Sequence, residues 1–118
     1  MSIQVGIEDE KRYTVTDDMS PPHLPAKVLS TPSMIGMIEG TCLMAVQPHL
    51  EEGQVTVGTH VCVSHEGAAA SGQEIVVTCR LSEIQKRRLT FETEVTVDGR
   101  RISKGTHQRA IIDPTRFG

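Results

Sequence analysis

The chain has no tryptophan, one tyrosine and two phenylalanines among 118 residues. A core without aromatic bulk has to be assembled from Val, Ile, Leu and Met. Cysteine is scarce and odd in number, and Cys42, Cys62 and Cys79 all lie in apolar stretches. They read as reduced core thiols of a cytoplasmic protein, not as a disulfide framework. Positive charge is not in excess: the net charge is -3, which argues against nucleic acid as the main ligand. The longest apolar run is too short and too broken by Gly and Glu to span a bilayer. Met1-Ser2-Ile3-Gln4-Val5 lacks the basic-then-apolar pattern of a signal peptide, so none is expected. What is left is one domain over residues 1–118 with a modest core, for which help from a partner subunit would be natural.

Within that frame one residue is out of place. Glu39 sits in Met34-Ile35-Gly36-Met37-Ile38-Glu39-Gly40-Thr41-Cys42-Leu43-Met44-Ala45-Val46, which otherwise reads as a buried helix. No Lys or Arg along that helix is placed to pair with it. An ionised carboxylate in apolar surroundings is expensive without partners, and perturbed carboxylates gather at functional sites. The helix is expected to start at Thr31-Pro32, with Thr31 as cap and Pro32 in the first turn, and to run to about His49. Being hydrophobic on most sides, it should be wrapped, with Gly36 and Gly40 leaving a ridge that a strand could approach.

Elsewhere the periodicity is that of strands. Residues 1–16 carry a weak strand pattern, and residues 17–25 hold three prolines and read as loop. After the helix the period changes to two, placing Val57, Thr59, Val61, Val63 and His65 on one face and Gly58, His60, Cys62 and Ser64 on the other. Strands follow at about 74–84, 89–97 and 101–112, joined by the basic turn 85–88 and by Asp98-Gly99, a strong hairpin signal. One long helix and about four antiparallel strands make an α+β layout.

Three segments carry a family resemblance. Val28-Leu29-Ser30-Thr31-Pro32-Ser33-Met34-Ile35-Gly36-Met37-Ile38-Glu39 resembles the helix entry of hotdog-fold thioesterases of the fluoroacetyl-CoA thioesterase type. Val57-Gly58-Thr59-His60-Val61-Cys62-Val63-Ser64-His65 resembles the strand after it, and Gly105-Thr106-His107-Gln108-Arg109 the final strand. The resemblance covers about residues 28–112. It implies a sheet curled round the central helix, a homodimer or tetramer with acyl-CoA at the subunit interface, and thioester hydrolysis. By position it makes Thr31, Glu39 and His65 the catalytic threonine, glutamate and histidine, and puts Gly58 beside the thioester carbonyl. One departure stands out: the fluoroacetyl enzyme has a longer, Phe-rich lid, whereas residues 19–27 here are short, Pro-rich and without Phe. The resemblance therefore carries thioester chemistry without carrying selectivity for fluoroacetyl-CoA.

Each of these residues also has a plain structural reading. Thr31 can simply cap the helix, or act as nucleophile or water-positioning group at its positive end. Glu39 can be a hydrogen-bonded core acid, or a carboxylate that activates water or attacks the thioester. His65 can be a strand-end surface residue, or the acid–base partner of Thr31 or Glu39. Gly58 can mark a bulge, or let a carbonyl approach the backbone. His60, Cys62 and His107 lack the further ligand spacing of a metal site, and none is expected. The CoA phosphates need positive charge, for which Arg109 is the first choice and the basic turn the second. No cofactor is expected beyond the CoA of the substrate, and neither nucleic acid nor membrane as partner. The rival readings are an acyl-CoA or small-acid binding protein without turnover, and a hotdog enoyl-CoA hydratase or dehydratase.

Overall fold

Period-two alternation builds most of the molecule. In the computed structural model, which describes residues 2–116, strand β1 (Glu8–Thr14) precedes helix α1 (Thr31–Val46). Strands β2 (Val55–Val63), β3 (Glu74–Gln85), β4 (Arg88–Val97) and β5 (Arg100–Ile112) follow it. They form one sheet in the order β1-β3-β4-β5-β2, every pair antiparallel. In β4 the inward side chains Leu89, Phe91, Thr93, Val95 and Val97 are buried, and Glu92 on the other face is exposed. Each large side chain removed from water in this way contributes about 1.5–3 kcal/mol. The outward face is ionic, with Arg80 against Glu92 and Arg101 against Glu66 and Glu94.

Turn chemistry sets the register. Asp98 and Gly99 both take positive φ, 50° and 74°, the conformation that lets a two-residue hairpin follow the twist of β4 and β5. At Gly105 an added Cβ would run into the Cys62 carbonyl and Val63 Cα, so β5 can lie against β2 there only as glycine.

Helix α1 lies on the inner face of the sheet and buries Met34, Ile38, Thr41, Cys42, Ala45 and Val46. The expected wrapping on most sides is not reached. Gly36 stays exposed and Met44 is 53% exposed, because the sheet covers one side of the helix only. Among the described residues nothing packs on Gly36. The Tyr13 hydroxyl alone comes near Gly40, bonding Thr41 Oγ1 and donating to the Met37 carbonyl. Pro48 has no N–H to continue the helix, which tightens into a short 3-10 turn at Gln47–His49. Cys42 and Cys79 are buried between helix and sheet, whereas Cys62 is exposed on β2 and is no core thiol.

Strand β2 departs most from simple alternation. Its pairing with β5 slips by one residue between Gly58 and His60, leaving Thr59 as a bulge. Thr56 and Gly58 pair with Ile111 and Arg109, and Val61 and Val63 with His107 and Gly105. The bulge thus moves Gly58 onto the same face as Val61 and Val63, the opposite of what uninterrupted period two predicts.

Candidate active site

The start of α1 relieves Thr31 of capping. The cap is Ser30, whose Oγ accepts from the Ser33 N–H at 3.3 Å, and Thr31 is the first helical residue with Pro32 behind it. Freed from capping, the exposed Thr31 hydroxyl shares a 2.7 Å hydrogen bond with His65 Nδ1 of the same chain. The residues that bring His65 there are those after β2, where the Ser64 and Glu66 N–H groups donate to Lys104 and Ile102 carbonyls of β5. Two hollows of about 300 and 330 Å³ adjoin Thr31, walled by Pro21, Ser30 and the loop around them.

Eight residues along the same helix stands Glu39. Its side chain is 40% exposed and, among the described residues, makes no hydrogen bond. Full burial is therefore not found in the single chain. The carboxylate leans over Gly58: a Cβ there would overlap Glu39 Oε2 and crowd His107 Cε1 at 3.3 Å and Arg109 Nη1 at 3.5 Å. A side chain at this point of β2 would push the carboxylate from its present position. Eight residues of helix correspond to about 12 Å of rise, and among the described residues no hydrogen bond or ion pair joins Glu39 to Thr31 or His65.

Beneath Glu39 lies a closed polar cluster. Arg109 is 4% exposed; its Nε donates to Thr56 Oγ1 at 2.8 Å and its Nη2 to the Thr56 carbonyl at 3.0 Å. A guanidinium so enclosed has no route to a nucleotide phosphate, so the phosphate contact first expected of Arg109 does not fit its position. Burial draws its pKa down, and the Glu39 charge opposes that. His107, wholly buried and stacked on Phe91 with ring centres 6.3 Å apart, bonds the His60 carbonyl through Nδ1 at 2.8 Å and Arg109 Nη1 through Nε2 at 3.1 Å. A carbonyl only accepts and a guanidinium only donates, so Nδ1 carries the proton and Nε2 is bare. Burial, ahead of the Arg109 charge, holds this imidazole below the ordinary histidine range.

Sequence reasoning weighed His107 only as a metal ligand and left out Thr56. The signal was the phase of β5, where His107 and Arg109 alternate with buried Ile111 on the inward face. Among the described residues no three His, Cys, Asp or Glu side chains converge as a metal set.

Comparison with known proteins gives one consistent answer. The profile of the fluoroacetyl-CoA-specific thioesterase family matches residues 10–115. A fluoroacetyl-CoA thioesterase of Streptantibioticus cattleyicolor is 35% identical over 91 residues, which are 77% of this chain and 66% of the relative. The chain thus matches just under two thirds of that protein's length. The solved structure of the fluoroacetyl-CoA thioesterase FlK superposes with a TM-score of 0.92 at 29% identity, covering 99% of this chain and 93% of the other. A variant of the same enzyme in complex with fluoroacetate and CoA gives 0.90 at 30% identity, over 98% and 100%. A thioesterase superfamily member from Thermus thermophilus, 24% identical with a TM-score of 0.90 over 97% and 87%, shares the hotdog fold.

Proposed function

The chain belongs to the family of fluoroacetyl-CoA-specific thioesterases, and from that premise we propose that it hydrolyses a small or medium acyl-CoA to the free acid and CoA. The observation that carries this reading is Glu39: a carboxylate without a hydrogen bond, laid over a glycine, on the helix whose first residue is paired with a histidine. A thioester is already activated, so one base and a few donors suffice. Glu39 takes a proton from water as the oxygen joins the acyl carbon. The C–S bond then breaks, and the thiolate leaves with a proton relayed through His65 and Thr31. If Glu39 instead attacks the carbonyl, the same bond breaks and water opens the resulting anhydride. Single turnover in labelled water detects the anhydride when water opens it at the Glu39 carboxyl carbon, which alone puts solvent oxygen into Glu39; opening at the acyl carbon labels the acid, as direct attack by water does.

One thioester carbonyl cannot touch both Thr31 and Glu39 of one chain across about 12 Å of helix. A second copy completes the site. The natural seam is β2, the edge strand on the side of the acid, where Gly58 lies beside Glu39 and Thr59 and His60 are exposed after it. A homodimer joined there, or a tetramer of such dimers, brings Glu39 of one protomer toward the Thr31–His65 pair of the other.

With Arg109 enclosed, the exposed cations of the 86–88 turn become the candidates for the CoA phosphates. Arg88 pairs with Ala110 and Ala110 with Val57, so this turn lies two strands, about 10 Å, from the strand that carries Gly58. No helix among the described residues is long and apolar enough to cross a membrane, and the free thiols suit a cytoplasmic setting.

The test is thiol release across a panel of acyl-CoAs, together with the Glu39→Gln variant. Release by the wild type and its loss by a factor of about 10² or more in the variant is the expected result. Undiminished activity in Glu39→Gln would remove the acid from the mechanism. Tight binding of acyl-CoA without release would favour the binding protein, and hydration of an enoyl-CoA the dehydratase.

A further inference from the structure

The polar cluster under Glu39 holds two groups able to give the acid a hydrogen bond, and neither does. His107 Nε2 is 4.0 Å from Glu39 Oε2, beyond bonding distance, and as the acceptor from Arg109 it has no proton to offer. The Nη1 group of Arg109 is turned to that same nitrogen, while the rest of its fork is held by Thr56. His107 and Arg109 thus bond each other, and no hydrogen bond or ion pair joins Arg109 to Glu39. The arrangement depends on the bulge at Thr59, where the slip in the β2–β5 ladder sits beside the His60 carbonyl that takes the Nδ1 proton.

We infer that His107 is a positioning residue for the hydrolysis proposed above, acting by withholding a hydrogen bond. Fixed in its Nδ1–H form between the His60 carbonyl and Arg109, it leaves the Glu39 carboxylate bare for water or substrate. A carboxylate that already accepts a strong hydrogen bond is a weaker base and a less available nucleophile. The groups that face His107 are Arg109 on its own strand, Glu39 from α1 and His60 from β2, with Phe91 of β4 stacked on the ring. Protonation of Nε2 reverses the device. The new N–H displaces the Arg109 donor, and two donors then turn toward Glu39.

The inference rests on the thioesterase reading for its consequence but not for its geometry, and the experiment separates the two. In the full-length protein labelled with ¹⁵N-histidine, the expected spectrum at pH 7 shows His107 protonated at Nδ1 and bare at Nε2. On acidification kcat should fall together with the appearance of the Nε2 proton. His107→Asn keeps a donor for the His60 carbonyl but frees Arg109 Nη1 to bond Glu39. It should lower kcat on the order of 10- to 100-fold with KM little changed, and the part of the acidic limb that follows the His107 proton should leave the profile, leaving the limb of Glu39 itself. A merely structural residue would lower thermal stability without moving that limb. An Nε2–H tautomer at pH 7, or a folded His107→Asn protein with wild-type kcat, overturns the inference. If the variant does not fold, coincidence or divergence of the two wild-type midpoints decides. If no acyl-CoA is turned over, the thioesterase reading fails while the spectrum still judges the tautomer.

Discussion

At the start of α1, the Thr31 hydroxyl lies in the open, bonded to His65, whereas two turns further on Glu39 stands over a cluster in which each Arg109 nitrogen and both His107 ring nitrogens are bonded to a neighbour other than the acid. The first region is held by local chain geometry: a serine cap, a proline in the first turn and a histidine at the end of a strand. The second is assembled from residues far apart in sequence, with Thr56 and Arg109 separated by 53 positions. The difference teaches where precision is needed. A hydroxyl paired with an imidazole tolerates adjustment, since both rotate. A carboxylate kept free of neighbours does not, because anything that shifts the cluster can supply it with a donor.

The sharpest way to break the comparison is at Gly58. Alanine there places a methyl group where Glu39 Oε2 now sits, so Gly58→Ala should cost on the order of 100-fold in kcat while the Thr31–His65 pair is untouched. Equal loss in a reaction that needs only Thr31 and His65 would show the two regions to be one. Next in size is a pair of changes at adjacent residues. Thr31→Ala should lower kcat by about tenfold with stability changed by less than about 0.5 kcal/mol. Ser30→Ala should do the reverse, losing about 1 kcal/mol of stability at little cost in activity. Denaturant melts and steady-state kinetics on both variants check this crossing, and it fails if Thr31→Ala is the one that melts early.

A smaller effect tests whether the two regions meet across subunits. Glu39→Gln, nearly inactive alone, and Thr31→Ala, left with about a tenth of the activity, should together reach about a quarter of wild-type activity when co-refolded, since half the dimers are mixed and each mixed dimer restores one of its two sites. No recovery would place both groups in one protomer's site. The smallest effect is in stability against pH. His107 stays neutral in the folded state below the ordinary value of 6.5, while the unfolded chain takes up its proton there. Stability is thus fully present above about pH 6.5 and lost as pH falls below it, by up to about 1.4 kcal/mol per unit until the folded imidazole itself titrates. His107→Asn should flatten that slope in urea melts between pH 5 and 7.

Much of this was legible in the residues. The α+β order, the hairpin at Asp98-Gly99 and the placement of one acid in an apolar helix all follow from period and turn chemistry. The cap was expected at Thr31 and is Ser30, one residue earlier, because a serine hydroxyl caps as well as a threonine and proline is accommodated at either of the first two helical positions. The bulge at Thr59 was invisible, since alternation assumes a ladder without slips, and a single extra residue exchanged the faces of Gly58 and its neighbours. Arg109 read as a surface cation because guanidinium groups are seldom enclosed; here Thr56 and His107 satisfy it. Those partners are long-range, and no local pattern announces them.

The segment ahead of α1 is closed at its neck by the Ser30 N–H donating to the Met19 carbonyl, with Leu29 and Ser71 bonded across to Ala69 and Lys27. Residues 20–26 therefore hang from a clasp made by the backbone on either side of them. Closing a longer excursion there would add only about 0.6 kcal/mol per doubling, so insertions and deletions can be absorbed without moving Thr31. Descendants of such a fold can rewrite what roofs the hollows while inheriting the hydrolytic machinery unchanged.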